Sequence, residues 1–265
     1  MTAAAVPTAS APRVGAAPAG RVFRNLLRSE ALLAWRSGAA VFWSAFLPVA
    51  GLVVIGSISG NRAPQDGLGG RSVLDTYLPI LMMFSLTISV VTLMPPTLAV
   101  YREKGILRRL STTPVPPSRL LGAQAVIYAG LGVLVSVVLL VVAVAAYDVN
   151  LPDQLAGFAV SLVLVGAATT GLGLVVAALA PNTRVASALS TLLFFPLMFF
   201  AGLWIPRASM PSGLRAVSDW TPLGAGVRAI QATVDGHWPP LSSLLVLAGW
   251  AVVCGVVAAR TFRWE

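Results

Sequence analysis

The residue types that usually carry out chemistry are scarce in this chain, and none falls into a reactive pattern. The 265 residues include one histidine, His237, and one cysteine, Cys254. A P-loop needs lysine directly before serine or threonine, so that the lysine reaches a phosphate. The only lysine, Lys104, lies between Glu103 and Gly105 instead, and no HExxH or DDxxD pattern occurs. We therefore expect no catalytic residue, no metal site and no ATP hydrolysis by this chain.

Charge is concentrated between residues 101 and 119, where Glu103 is the single acid. The basic residues of this segment are Arg102, Lys104, Arg108, Arg109 and Arg119. Only 10% of the whole chain is charged. A concentrated basic loop in such a chain indicates the cytoplasmic side of a membrane and contact with a partner there.

A short helix is predicted over residues 102–111, and three prolines between 114 and 117 end it. Glu103, Ile106, Leu107 and Leu110 share one face of this helix, with arginines around its other sides. Such an apolar ridge with flanking charges suits a groove on a soluble partner. A solvated basic loop is the alternative.

The composition predicts an all-α integral membrane protein. Apolar residues make up 57% of the chain and the mean hydropathy is +0.85, both well above the values of soluble domains. The net charge of +9 lies mainly at the ends of apolar segments. This distribution favours an anionic lipid surface over nucleic acid as the partner of the basic residues.

Six segments are apolar and long enough to span a bilayer, which takes about 20 residues. They are residues 39–59, 76–100, 120–147, 155–180, 185–205 and 241–260. Pro79, Pro95 and Pro96 predict kinks or breaks near both ends of the second segment. Residues 181–184, Pro-Asn-Thr-Arg, predict a tight turn between the fourth and the fifth.

The first 36 residues contain no spanning segment. Residues 1–19 lack the apolar core of a signal peptide and predict a disordered cytoplasmic tail before a membrane domain over 20–265. Residues 21–36 predict an amphipathic helix in the headgroup plane, although Glu30 and Leu32 break its pattern. Its polar and interfacial side chains are Arg21, Arg24, Arg28, Trp35 and Arg36. A basic flank that only sets orientation is the alternative.

The basic residues also predict which side each loop faces. With the N-terminus inside, thirteen of the basic residues are cytoplasmic and five are outside, and both termini are cytoplasmic. The outer segment 206–240 combines tryptophans, prolines and an apolar run from Leu223 to Ile230. It predicts short helices that re-enter the outer leaflet, and an ordinary surface loop is the alternative.

Coupling of transport to an ion through a buried carboxylate is not expected in the predicted spans, and coupling through backbone carbonyls is the alternative. Ion-coupled transporters carry ionisable groups inside the membrane, whereas every acid here falls at or beyond a predicted helix end, with Asp75 the nearest exception. If the chain moves a substrate uphill, the energy must come from another polypeptide that contacts a cytoplasmic segment.

The charged segment and the order of spans resemble the ABC-2 type export permeases. That family has a pattern close to E-x-G-x-L-x-x-L-x-x-T-P after its second span. This sequence has Glu103, Gly105, Leu107, Leu110, Thr113 and Pro114 at the matching positions. Pro95-Pro96 and the long connection with Trp204 and Trp220 are also similar, and the branch most resembled is that of daunorubicin and other antibiotic-resistance exporters.

The resemblance implies a half-transporter in a bacterial plasma membrane. Two copies would pair with two separate ATP-binding subunits, which would hold the ATP and Mg. The implied coupling residues are Arg102, Glu103, Gly105, Ile106, Leu107, Arg109, Leu110, Thr113 and Pro114. A secondary transporter or channel, and a membrane subunit without transport activity, are the alternatives.

Clusters of large, soft side chains in two spans predict a path for a hydrophobic drug, natural product or lipid. The residues are Met82, Met83, Phe84, Phe194, Phe195, Met198 and Phe199. Ordinary packing or lipid-facing surface explains the same residues equally well. Small residues at helical spacing are candidate dimer contacts or packing contacts within one subunit, and they are Gly56 with Gly60, and Ala251 with Gly255 and Ala259.

Overall fold

A computed structural model describes residues 19–106 and 118–262 of the chain. Within those ranges the chain is helical, and an isolated bridge between Gln65 and Arg71 is the only β pairing. Residues 1–18 of the tail predicted over 1–19, residues 107–117 and the last three residues lie outside the described ranges.

The helices follow the predicted apolar segments closely. They are α1 (Ala19–Ser37), α2 (Ala39–Ser57), α3 (Val73–Thr87), α4 (Met94–Glu103), α5 (Ser118–Tyr147), α6 (Leu155–Leu179), α7 (Thr183–Ala201), α8 (Ser212–Trp220), α9 (Pro222–Val234) and α10 (Leu241–Thr261). A π-helical segment, Ile88–Leu93, joins α3 to α4 without a break, so these three pieces form one long rod over Val73–Glu103.

Five helices, with α3 to α4 counted as one, are long and apolar enough to cross a membrane. They are Val73–Glu103, Arg119–Tyr147, Leu155–Leu179, Thr183–Ala201 and Leu241–Thr261. In α2 the apolar helix Phe42–Ser57 is shorter than these. The first of the six predicted spans therefore remains a prediction.

The rod of α3 and α4 lies at the centre of the bundle. Leu74, Ile80, Met82, Met83 and Leu86 of α3 are almost fully buried, and α2, α5, α6, α7 and α9 all pack against this rod or its π segment. In water, burying one such apolar side chain stabilises a protein by roughly 1.5–3 kcal/mol. In lipid this gain is absent, and close packing of the helices stabilises the bundle instead.

Two of the stretches suggested as dimer contacts, at Gly56 and from Ala251 to Gly255, pack within this chain. A methyl group built on Gly56 would lie 2.7 Å from the ring of Tyr147, at the far end of α5. One built on Gly171 of α6 would lie 2.8 Å from Cys254 Cβ and 3.5 Å from the backbone of Ala251 and of Gly255 in α10. These contacts place the stretch from Ala251 to Gly255 against α6 of the same subunit, with Cys254 buried there.

The segment after α7 folds into two short helices. Thr221 caps α9 by accepting a hydrogen bond from the Gly224 N–H (3.1 Å), and Pro222 occupies the first turn, where its missing N–H costs nothing. Most of α9 is buried against α3, α6, α7 and α10. Its re-entry into a membrane remains a prediction.

Candidate functional site

Helix α4 ends within the charged segment, at a turn that needs glycine. The Lys104 N–H donates to Val100 O and the Gly105 N–H to Arg102 O, both at 3.0 Å. Gly105 has φ of +65°, a left-handed conformation that side chains disfavour and glycine adopts freely. Arg102 and Glu103 therefore belong to α4, and the helix predicted over 102–111 is interrupted at its start.

Tyr101 connects the end of α4 to the N-terminal helix. Its hydroxyl donates to Glu30 Oε2 of α1 (2.7 Å). The amide of Gln124 in α5 donates to the same carboxylate oxygen and, at 3.3 Å, to the Tyr101 hydroxyl. Glu30 is only 9% exposed. Its interruption of the amphipathic pattern of α1 is thus explained, because this carboxylate faces protein partners instead of water.

The environment of Glu30 makes ionisation harder than in water. Burial raises the pKa of the Glu30 carboxyl, and the hydrogen bond from Tyr101 offsets this increase only in part. A carboxyl group held in this way joins three helices through neutral donors, without a basic partner among its hydrogen bonds.

Arg102 connects the end of α4 to the ends of two other helices. Its guanidinium donates to the carbonyl of Ala180 and, at 3.4 Å, to that of Ala177, at the C-terminus of α6. The same group lies 5.1 Å from the centre of the Phe262 ring, just beyond α10. A cation at these carbonyls is favourable, because the C-terminus of a helix carries partial negative charge.

Glu103 connects the end of α4 to the start of α7. The Thr183 N–H donates to Glu103 Oε1 (2.7 Å) and the Thr183 hydroxyl to Oε2 (3.0 Å). The neighbouring Asn182 side chain accepts from the Val185 N–H at 2.9 Å, which completes the cap of α7. The carboxylate also meets the positive end of the helix dipole.

Three consecutive residues thus bind three different parts of the bundle. Tyr101 reaches α1 and α5, Arg102 reaches the ends of α6 and α10, and Glu103 reaches α7. Nothing in the pattern of charges predicted these partners, which are 71 to 80 positions away for Glu30, Ala180 and Thr183. The arrangement can pass a displacement at the end of α4 to most of the helix bundle.

The other predicted coupling residues are described only in part. Ile106 is partly buried and is the last described residue before the gap. Leu107, Arg109, Leu110, Thr113 and Pro114 lie outside the described residues. In the predicted interfacial helix, Arg24 and Arg28 are exposed, and the side chains of Arg21, Trp35 and Arg36 are not among those described.

The residues predicted to form a substrate path separate into two groups. Met82, Met83 and Met198 have none of their surface exposed and lie in the main core. Phe84 packs edge-on against Phe194, with ring centres 5.5 Å apart. Further along α7 the aromatic contacts continue from Phe194 to Phe195 to Trp204, at 5.8 and 6.1 Å, and Phe199 contacts Phe200 at 5.5 Å. In this conformation the methionines fill the core, while Phe195, 55% exposed, lies at the surface.

The long apolar helices identify a multi-pass membrane protein. The family model described as ABC-2 type transporter matches residues 21–234, and the chain belongs to that family. It is thus a membrane permease component of an ABC transporter, and in this family the membrane component is distinct from the ATPase and usually works with an ATP-binding subunit. A search of curated proteins finds no match.

Proposed function

We propose that this chain is the gate of an ATP-driven exporter in a bacterial plasma membrane. Two copies, each with six spans and both termini in the cytoplasm, pair with two copies of a separate ATP-binding subunit that holds ATP and Mg. The complex moves a hydrophobic drug, natural product or lipid out of the cytoplasm or the inner leaflet. Drug efflux and antibiotic resistance are its expected biological effects.

The observation that carries the proposal is the set of contacts made by Tyr101, Arg102 and Glu103. These residues form the start of the charged segment that is proposed to dock on the ATP-binding subunit. When ATP closes the partner dimer, a push on that segment moves the end of α4 and, through the three residues, α1, α6 and α7. A clear switch between two conformations needs a free-energy bias of roughly 5.5 kcal/mol. A helix end can transmit such a bias only if it is firmly attached to the rest of the bundle.

The character of the substrate is supported by the aromatic residues of α7. Phe194 and Phe195 continue to Trp204 as a row of ring contacts that ends at the protein surface. Aromatic side chains offer large apolar area without charge, which suits a bulky hydrophobic molecule. In the proposed cycle the buried methionines of α3 and α7 become accessible only when helices of one copy separate, because a single chain already buries them completely.

The proposal is tested by co-expressing the chain with a candidate ATP-binding subunit. We expect the two to co-purify and to accumulate a hydrophobic dye inside everted vesicles only with ATP. The double variant Glu103→Ala, Leu107→Ala should keep the membrane domain folded but lose both export and stimulation of the ATPase. Lys104→Ala serves as the matched control, because Lys104 is exposed and occupies a variable position of the family pattern.

Two results would contradict the proposal. One is normal export and ATPase stimulation by the double variant, which would show that the segment does not transmit the signal. The other is transport by the purified chain alone under an ion gradient, which would make it a secondary transporter. Melting curves of every variant separate a loss of coupling from a loss of folding.

A further inference from the structure

A groove of about 790 Å³ runs between α8, α9 and the first half of α10, far from the contacts of Tyr101, Arg102 and Glu103. One wall is formed by Leu245, Val246, Gly249, Trp250 and Val253 of α10. These residues recur at intervals of three and four, so they form a continuous apolar face of the helix. Neither the family nor the proposed transport cycle assigns a role to this groove.

The length of the apolar wall matches one leaflet of a bilayer. The lining of α10 extends from Ser242 to Val253, which at 1.5 Å per residue corresponds to roughly 16 Å. Half of a hydrocarbon core of about 30 Å is roughly 15 Å. One acyl chain lying along α10 would therefore be covered over the depth of a single leaflet.

The charged residues of the opposite wall are Asp219 and Arg228, and Arg207 lies next to them outside the lining. Asp219 lies between two guanidinium groups: it forms an ion pair with Arg207, and its Oδ2 is 3.7 Å from Arg228 Nη1. One carboxylate cannot neutralise two arginines. Arg228, which lines the groove and is 37% exposed, is the more accessible of the two. A ligand with an anionic group beside its apolar chain would neutralise the second charge.

One tryptophan of the lining fixes α10 in place. Trp250 donates from its indole N–H to the Trp220 carbonyl (2.9 Å), which holds α10 against the end of α8. The Trp220 side chain itself is 74% exposed and lines the groove, where it adds apolar surface for an acyl chain.

We propose that this groove binds an anionic phospholipid, with an acyl chain along α10 and the phosphate at Arg228. A second copy of the chain fits less well, because a contact of the groove with its own symmetry mate would bring two positively charged surfaces together. A free phosphate ion would leave the apolar wall unused. The site does not depend on the export function and can be tested without transport.

The test uses two glycines of the same helix. A methyl group built on Gly249, in the groove, or on Gly255, outside it, meets no atom within 4 Å. Gly249→Leu should therefore fill the groove, while Gly255→Leu adds the same bulk elsewhere on α10. Gly249→Val is a smaller second variant in case the leucine impairs folding.

The charge is tested with a second matched pair. Arg228→Gln removes the surplus guanidinium, whereas Arg71→Gln removes an arginine that forms an ion pair with Asp235 outside the groove. The purified full chain is exchanged into mixtures of phosphatidylglycerol and phosphatidylcholine with identical acyl chains. Retained lipid is then counted by native mass spectrometry, and melting curves check the folding of each variant.

We expect the unmodified protein to retain phosphatidylglycerol about tenfold more tightly than phosphatidylcholine, the effect of one charge-assisted contact. Arg228→Gln should remove this preference, and Gly249→Leu should reduce retention of both lipids, while the two controls behave like the unmodified chain. Equal retention by Gly249→Leu and Gly255→Leu would overturn the site. An unchanged preference in Arg228→Gln would overturn the role of the phosphate. A change of oligomeric state in Gly249→Leu without loss of lipid would show that a second copy fills the groove, and the proposal would fail.

Discussion

Glu103, the last residue of α4, accepts two hydrogen bonds from Thr183, the first residue of α7. The backbone N–H of Thr183 donates at 2.7 Å and its hydroxyl at 3.0 Å, each to a different carboxylate oxygen. The two helices are 80 residues apart at this point of the sequence, yet the end of one is the cap of the other. A movement of α4 along its axis must therefore either carry α7 with it or break both bonds.

The first prediction concerns the hydroxyl of Thr183. Thr183→Val keeps the shape of the side chain and the backbone donor but removes the hydroxyl bond to Glu103. We expect a partial loss of ATP-dependent export in everted vesicles, at unchanged expression and unchanged binding of the ATP-binding subunit. The physical reason is a looser attachment of α4 to α7 through the one remaining bond.

Thr183→Ser is the matched control for this experiment, because serine retains the hydroxyl and loses only a methyl group. It should export at the rate of the unmodified protein. If the valine and serine variants export equally well, the hydroxyl bond does not contribute to coupling.

The second prediction concerns the buried carboxyl of Glu30 and the dependence of stability on pH. Burial raises the pKa of Glu30 above its ordinary 4.5. Between pH 4.5 and the raised pKa, the folded chain therefore binds this proton more strongly than the unfolded chain. The stabilising contribution of the protonated form is fully present below pH 4.5 and is lost as the pH rises through the raised pKa. Glu30→Gln keeps an acceptor for Tyr101 and cannot ionise, so its stability should fall less over the same window.

The measurement is the melting temperature of the purified protein in detergent from pH 4.5 to neutrality. Asp66→Asn is the control, because Asp66 is an exposed acid in the loop before α3 and its removal should leave the slope unchanged. Parallel curves for Glu30→Gln and the unmodified chain would show that Glu30 ionises as easily in the folded state as in water.

The sequence was sufficient to place the helices, because each apolar segment is long and its limits are marked by charges or turn residues. The turn at Pro181 and Asn182 can be located in this way, whereas the end of α4 at Gly105 was missed, because the sequence predicts one helix over 102–111. Glu30 was recognisable as an exception, since a carboxylate on an apolar stripe needs a buried partner.

The partners of the candidate site could not be predicted from the sequence. The contacts of Tyr101, Arg102 and Glu103 depend on how α1, α6 and α7 pack, and one sequence carries no signal for contacts between residues so far apart. The π segment Ile88–Leu93 could not be predicted either. The prolines that follow it at 95 and 96 predict an irregularity without specifying its type. The methionines of α3 and α7 are a residue type that is common at binding surfaces, yet they are buried in the core.

The third prediction concerns a close approach between two membrane helices, where α6 meets the π segment. A methyl group built on Gly173 would lie 2.2 Å from the carbonyl oxygen of Val90 and 2.9 Å from Met94 Cε. Backbone cannot move aside as a flexible side chain can. Gly173→Ala should therefore destabilise the protein by about 1–3 kcal/mol, as overpacking typically does, and lower its melting temperature in detergent.

Gly130→Ala is the matched control, because Gly130 lies inside α5 and a methyl group there meets no atom within 4 Å. In a helix interior this change stabilises by roughly 0.5–1 kcal/mol, so the two variants should shift the melting temperature in opposite directions. The π segment places the Val90 carbonyl next to α6, and a glycine on α6 leaves room for it. If Gly173→Ala melts at or above the temperature of Gly130→Ala, α6 and the π segment are further apart than this contact requires.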